Sequence, residues 1–262
     1  MDFFQSIFLG VVQGLSEFLP ISSSGHLVLM PWVFGFEDPG LAFDVALHVG
    51  TLLAVASYFW RDWLNIVGLR HDMTEYQSSR WLPLLIVGTL PAVIAGFLLK
   101  EYAESVFRHP LVAASTLFFF GATLFLVDRY SAKSRSLSQF SFVDAMIIGI
   151  AQSIAIAPGV SRSGITITAA LIRGADRVSA ARFSFLLSAP IIFGAALLHA
   201  KDFLANIANP IFLAGVVASA ISGYFAIKYL IRFLEHSSFA VFFWYRIVLA
   251  ICIGILFVGQ YV

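Results

Sequence analysis

The chain has 262 residues, of which 60% are hydrophobic and 12% charged, with 27 phenylalanines and a net charge of +1. Soluble domains carry roughly 25% charged residues, so this composition, with a mean hydropathy of +0.90, marks an integral membrane protein. The near-zero net charge argues against a nucleic-acid partner, and the lone Cys252, set in an apolar run, offers neither a disulfide framework nor a thiolate metal site.

Met1 and Asp2 precede an apolar segment with no basic stretch, so no cleaved signal peptide is expected. Residues 3–19 and 21–36 are each too short to cross a bilayer and are separated by Pro20. Gln13 and Glu17 are four apart and share one face of the first helix, which Pro20 ends. Beyond it Ser22, Ser23 and Ser24 offer capping hydroxyls and free backbone N–H groups, with Gly25, at the start of a second short helix. Such an end attracts anions. Ser23 and His26 are three apart there, spaced for the imidazole to accept the hydroxyl proton. A carboxylate at membrane depth costs at least roughly 2.5 kcal/mol, so Glu17 reads as functional.

A span over 41–60 follows, where Asp44 and His48 share a face and read as support for the site or as a structural pair. Residues 81–99 and 110–128 are two more spans. The segments 142–157 and 162–173 are again short and flank Pro158-Gly159, after which come Ser161, Arg162, Ser163, Gly164 and Thr166. Arginine is the side chain best shaped to hold a phosphate by two parallel hydrogen bonds. Thr166, four past Arg162, is expected to face the same site, and Asp144 reads as compensation of a helix dipole. Spans at 178–199, 210–229 and 240–260 complete six. The two short pairs read as re-entrant, which is tolerated where irregular backbone is buried in protein or lines a cavity.

A shift of 139 brings Gly10 onto Gly149, Gln13 onto Gln152, Ser22 onto Ser161, Ser24 onto Ser163 and Gly25 onto Gly164. A shift of 127 brings Gly88 and Gly96 onto Gly215 and Gly223. The expected fold is therefore an all-α polytopic membrane protein with an inverted-topology repeat, each half holding a re-entrant pair and three transmembrane helices. It forms a single membrane domain, with repeat 1 over about 1–130 and repeat 2 over about 140–262. Loop charges fit that plan. If 61–80, 129–140, 174–182 and 228–238 share the cytoplasmic side, it holds eleven Lys or Arg counting Arg173 at its edge, and the other side keeps Lys100, Arg108 and Lys201. Both termini then fall on the outer face. Small residues at Gly10, Gly14, Ser219 and Gly223 permit close helix contacts within or between protomers, a homodimer among them.

At these motifs the chain resembles the undecaprenyl-diphosphate phosphatase family, also called bacitracin-resistance proteins. The first signature is carried by Gln13 and Glu17 with Ser22, Ser23, Gly25 and His26, the second by Pro158, Gly159, Ser161, Arg162, Ser163 and Thr166. The resemblance covers essentially the whole chain. It implies hydrolysis of undecaprenyl diphosphate to the monophosphate and phosphate, with a divalent cation, Mg²⁺ or Ca²⁺, near Glu17 and Gln13. It also implies a bacterial cytoplasmic (inner) membrane location, a site opening to the periplasmic or outer face, and a role in recycling the carrier lipid for cell-wall synthesis. Some members have Glu where this chain has Gln13, so one anionic ligand is missing here. The phosphatidic-acid-phosphatase superfamily would need His and Asp where this chain has Thr168 and Ile172, so that likeness fails.

The expected mechanism places the diphosphate between the two helix starts, held by Arg162 and by backbone N–H groups at Ser22–Ser24 and Ser161–Ser163. Ser23 attacks with His26 as base, and direct attack by water activated by Glu17 or His26 stays open. The alternative from another class is a lipid-phosphate transporter or flippase, because inverted repeats with broken helices also build transporter sites.

Overall fold

The computed structural model describes residues 1–69, 78–99 and 110–259. Among these residues the chain is helical and forms no β-strand. Helix α1 (Phe3–Phe18) starts at Asp2, whose carboxylate accepts from the Gln5 N–H while Gln5 reaches back to the Asp2 N–H, a reciprocal cap. It ends where Leu19 turns extended ahead of Pro20. Helix α2 (Ser23–Phe34) is capped by Ser22 and closed by Gly35 in the left-handed region. Then come α3 (Leu41–Tyr58), α4 (Trp60–Ile66), α5 (Ser78–Leu98) and α6 (Pro110–Tyr130). The second half follows the same order, with α7 (Phe142–Ser153), α8 (Arg162–Ile172), α9 (Arg177–Leu198), α10 (Ala200–Asn206), α11 (Pro210–Leu234) and α12 (Ala240–Gly259).

Six helices among the described residues, α3, α5, α6, α9, α11 and α12, are long and apolar enough to cross a membrane. Helices α1, α2, α7 and α8 have 16, 12, 12 and 11 residues, short of the roughly 20 a span needs. The all-α, multi-pass architecture read from the sequence is therefore the one observed. Several boundaries shift by two residues or more, α7 for one ending at Ser153 rather than 157. The span expected over 41–60 stops at Tyr58, and a separate helix restarts at Trp60. The span expected over 210–229 runs on to Leu234, because Leu230 and Leu234 are buried on one face while Lys228 and Arg232 stay outside the core. Arg70, His71, Lys100, Arg108 and His109, which the sequence placed in loops, lie outside the described residues.

The short helices approach their neighbours at backbone distance. A Cβ on Gly10 would lie 2.3 Å from the Gly215 carbonyl oxygen, and one on Gly149 would lie 2.4 Å from that of Gly88. The same contact thus occurs twice, α1 on α11 and α7 on α5, between residues matched by the two sequence shifts. Gly14 meets Ser219, Ser222 and Gly223 of α11 in the same way. Gly10, Gly14, Ser219 and Gly223 are therefore used within the protomer, and a homodimer would have to use another surface. Gly96 breaks the correspondence, since it borders open space where its match Gly223 packs on Phe18 and Ala54. Overpacking such a seam costs about 1–3 kcal/mol or more. Gly149→Val is therefore expected to lower the melting temperature of the detergent-solubilised protein by several degrees or to abolish folded yield. An unchanged melt would refute the close α7–α5 approach.

Buried carboxylates gather the loops at one end. Asp144 accepts from Arg135 and Arg173, each at 2.7 Å, and Asp62 accepts from Arg182 at 2.9 Å. Asp128 accepts from Arg177 at 2.6 Å and from the Phe239 N–H at 3.0 Å. Asp144 does more than offset a helix dipole, because it binds two arginines from separate loops. The loops expected to share a side do meet.

Candidate active site

Pro20 and Pro158-Gly159 break the two short helix pairs, and each break is followed by a serine cap with positive φ, +75° at Ser22 and +71° at Ser161. Residues other than glycine seldom adopt this region, and holding one there costs on the order of 1–3 kcal/mol. Each cap closes on its own helix. The Ser22 hydroxyl accepts from the Gly25 N–H at 3.4 Å and the Ser161 hydroxyl from the Gly164 N–H at 3.1 Å. The Ser22 hydroxyl also accepts from the Gly159 N–H at 3.1 Å, and the Ser163 hydroxyl donates to the Leu19 carbonyl at 3.3 Å, so the breaks are bonded to each other. Pro20, the counterpart of Gly159, has no N–H, which removes the mirror-image bond.

The first residue of each capped helix points at one carboxylate. Ser23 begins α2 and Arg162 begins α8, and they are matched by the 139-residue shift. Glu17 Oε2 accepts from the Ser23 hydroxyl at 2.6 Å and from the Gln13 amide at 3.0 Å, while Oε1 accepts from Arg162 Nη2 at 2.6 Å. Arg162 Nη1 donates to the Ser184 carbonyl of α9 at 2.9 Å, so the guanidinium is held from two directions. His48 Nε2 stands 3.4 Å from Glu17 Oε2, and its Nδ1 donates to the Asp44 main-chain carbonyl at 2.7 Å. Glu17 is 6% exposed. Its charge is therefore matched at close range by Arg162, as a buried carboxylate requires.

These groups line a cavity of about 300 Å³. One wall is polar, with Glu17, Ser22, Ser23, Ser24, His48, Ser161 and Arg162, and the other is apolar, with Val45, Ala155, Ile191, Ile192 and Ala195. Two N-terminal helix ends, one guanidinium and a hydroxyl bonded to a carboxylate favour an anion. The apolar wall favours a hydrocarbon attached to it.

The sequence-derived residues divide accordingly. Glu17, Ser22, Ser23, Ser24, Ser161 and Arg162 reach the cavity, and Gln13 stands directly behind Glu17. Gly25, Ser163, Gly164 and Thr166 do not line it. Their groups build the turns instead, and the Thr166 hydroxyl bonds to the Ser184 hydroxyl at 2.7 Å, tying α8 to α9. The expected pairing of Ser23 with His26 is absent. His26 Nδ1 donates to the Ser22 carbonyl at 2.7 Å and Nε2 faces the Tyr245 hydroxyl at 2.6 Å, so both ring nitrogens are occupied and the group beside Ser23 is Glu17. Sequence reasoning missed Ser184, Tyr245 and Arg246. Only Arg246 carried a signal, a guanidinium inside an apolar span.

Among the described residues no three His, Cys, Asp or Glu side chains cluster as metal ligands. Besides the serine hydroxyls, the oxygen donors at the site are the Glu17 carboxylate and Gln13 Oε1, and Gln13 Oε1 is buried with no hydrogen-bond partner among the described residues. That suits a cation bound chiefly through a diphosphate rather than one caged by protein.

Residues 6–252 match the family model described as bacitracin resistance protein BacA. Proteins named undecaprenyl-diphosphatase are similar along nearly their whole length. That of Desulforudis audaxviator is 48% identical over 97% of both chains, that of Moorella thermoacetica 49% identical over 98% of both, and that of Pelotomaculum thermopropionicum 44% identical over 98% of this chain and 97% of its own.

Proposed function

The chain belongs to the bacitracin resistance protein BacA family, and from that premise we propose that it hydrolyses undecaprenyl diphosphate to undecaprenyl phosphate and inorganic phosphate at the Glu17, Ser23 and Arg162 cluster. The observation that carries this assignment is the single carboxylate bonded at once to a serine hydroxyl and to an arginine from the other half of the chain. A transporter or flippase needs no such nucleophile and base.

In the proposed reaction the terminal phosphoryl group lies against Arg162 and the N–H groups that open α2 and α8, with the prenyl chain along the Val45, Ile191 and Ala195 wall. Ser23 Oγ forms a bond to the terminal phosphorus and gives its proton to Glu17 Oε2. The bond to the bridging oxygen breaks, and its electron pair leaves on undecaprenyl phosphate. Water then attacks the phosphoserine phosphorus, the bond from phosphorus to Ser23 Oγ breaks, Oγ takes back the proton held on Glu17, and the protons of the water leave with the released phosphate. Positioning and charge neutralisation supply most of the rate in such transfers. Mg²⁺ or Ca²⁺, held by Glu17 and Gln13 on the protein side, would neutralise charge on the diphosphate.

We place the protein in the bacterial inner membrane with the site and both termini toward the outer face, in cell-wall lipid recycling. The arginine-rich end joined by Asp62, Asp128 and Asp144 supports that sidedness. The doubled glycine contacts support an inverted repeat. Purified protein in detergent with undecaprenyl diphosphate is expected to release phosphate, to stop in chelator and resume with Mg²⁺ or Ca²⁺, and to yield phosphoserine at Ser23 on rapid quenching. Absence of phosphate release would refute the hydrolase reading. Ser23→Ala activity within about tenfold of wild type would move the attack to water.

A further inference from the structure

Among the arginines carried by helices, Arg162 lies at the site and Arg246 sits within the apolar run of α12. Arg246 of α12 is fully buried, at 0% exposure, and forms no ion pair with a described residue. Its Nη2 donates to the carbonyls of Gly159 at 2.6 Å and Val160 at 2.9 Å, and its Nη1 donates to that of Pro20 at 3.4 Å. Pro20 and Gly159 are matched by the 139-residue shift, so one side chain from a third element joins corresponding points of the two breaks. The slot it occupies is kept open by glycines. A Cβ on Gly121 would lie 3.3 Å from Arg246 Cδ, and one on Gly164 would lie 3.3 Å from Arg246 Nη1. The neighbouring Tyr245 stacks on His26 and meets its Nε2 at 2.6 Å, attaching α12 to the start of α2 as well.

The carbonyls that Arg246 holds come just before Ser22 and Ser161, the two caps with positive φ. Backbone in that region persists only where its surroundings over-determine it. Immediately after those caps come Ser23 and Arg162. In the resting site Glu17 joins these two residues, but both of those hydrogen bonds must be exchanged when a diphosphate engages Arg162 and the serine proton moves. At that moment the ties that remain are the bonds between the breaks, Gly159 N–H to Ser22 and Ser163 to Leu19, and the Arg246 fork behind them, which alone reaches both breaks from a third element.

We propose that Arg246 is a positioning residue: by binding the carbonyls of Pro20, Gly159 and Val160 it fixes Ser23 and Arg162 relative to each other while phosphoryl transfer occurs. This rests on the hydrolase reading above. A point charge cannot reach both breaks as the planar guanidinium does.

The test is Arg246→Lys in full-length, detergent-purified protein with undecaprenyl diphosphate, read by steady-state kinetics and by single-turnover kinetics with enzyme in excess. The single-turnover rate constant does not depend on what fraction of molecules is folded, so a merely structural role would leave it unchanged. It is expected to fall at least about tenfold with KM within about threefold of wild type, the pattern of lost transition-state alignment. Should the lysine variant not fold, Gly121→Ala, which crowds the Arg246 stem and leaves its charge in place, carries the same test with a smaller fall of about threefold. A single-turnover rate constant equal to wild type in the variant that folds would overturn the positioning role, whatever the steady-state rate. Wild-type protein that releases no phosphate would refute the hydrolase reading instead.

Discussion

Glu17→Gln is expected to lower the phosphate-release rate at least about a thousandfold, within the 10² to 10⁴ range for loss of a general base and near its upper end. The upper end is expected because the carboxylate does two jobs. It is the acceptor of the Ser23 proton at 2.6 Å and the partner of Arg162 at 2.6 Å. An amide keeps one acceptor oxygen: with that oxygen on Arg162, its nitrogen cannot take the Ser23 proton and meets the Gln13 amide donor, and turned the other way it sets a donor against Arg162. The Arg162 side chain is 14% exposed, and removing the partner of a buried charge costs about 3–5 kcal/mol. Folded yield should therefore fall as well. Glu17→Asp separates the effects, since it keeps the charge but moves it back by one methylene. It should recover folded yield more than rate. A Glu17→Gln enzyme within tenfold of wild type would remove Glu17 from the chemistry.

The parts of the fold legible in the sequence were those set by local chemistry. Pro20 and Pro158, each followed by a serine cluster and a glycine, announced both breaks, whereas Pro31, Pro83, Pro91 and Pro190 sit inside helices that continue past them, and runs of about 20 apolar residues announced the spans. Boundaries that depend on the opposing surface were not legible. The restart at Trp60 and the extension of α11 to Leu234 follow from which face finds a partner, and hydropathy averages over faces.

In the site, spacing identified groups sharing a helix face but not the partners that reach them from elsewhere. Ser23 and His26 have the spacing of a nucleophile and base, yet the nearest acceptor for the His26 ring is the carbonyl one turn back, and Tyr245 arrives from a helix more than two hundred residues away. Glu17 was found because a lone carboxylate in an apolar run has few innocuous explanations. The same argument applied to Arg246, whose run at 240–260 was read only as a span. Of the 16 Lys and Arg, all but Arg162 and Arg246 fall in or beside loops, so subtraction alone would have isolated it.

The second large effect is expected at Arg162. Arg162→Lys should lower the rate by about 10² to 10³, the loss seen when one oriented donor is removed from a developing anion, although the positive charge is retained. The guanidinium is aimed by two fixed acceptors, Glu17 Oε1 at 2.6 Å and the Ser184 carbonyl at 2.9 Å, which leave its remaining donors directed by the plane of the group. An ammonium on a flexible stem can satisfy one of those acceptors and cannot aim what is left. If charge alone held the phosphate, lysine would preserve most of the rate and Arg162→Met would lose it. If orientation matters, lysine falls nearly as far as methionine and the loss lies in kcat rather than KM, because the fork fits the charge as it spreads over the phosphoryl oxygens. Steady-state kinetics of the two variants side by side distinguish these outcomes, and a lysine enzyme within tenfold of wild type would refute the orientation argument. Because Arg162 and Ser23 occupy matched positions in the two halves and meet on one carboxylate, a misdirected side chain at either position should disable the other.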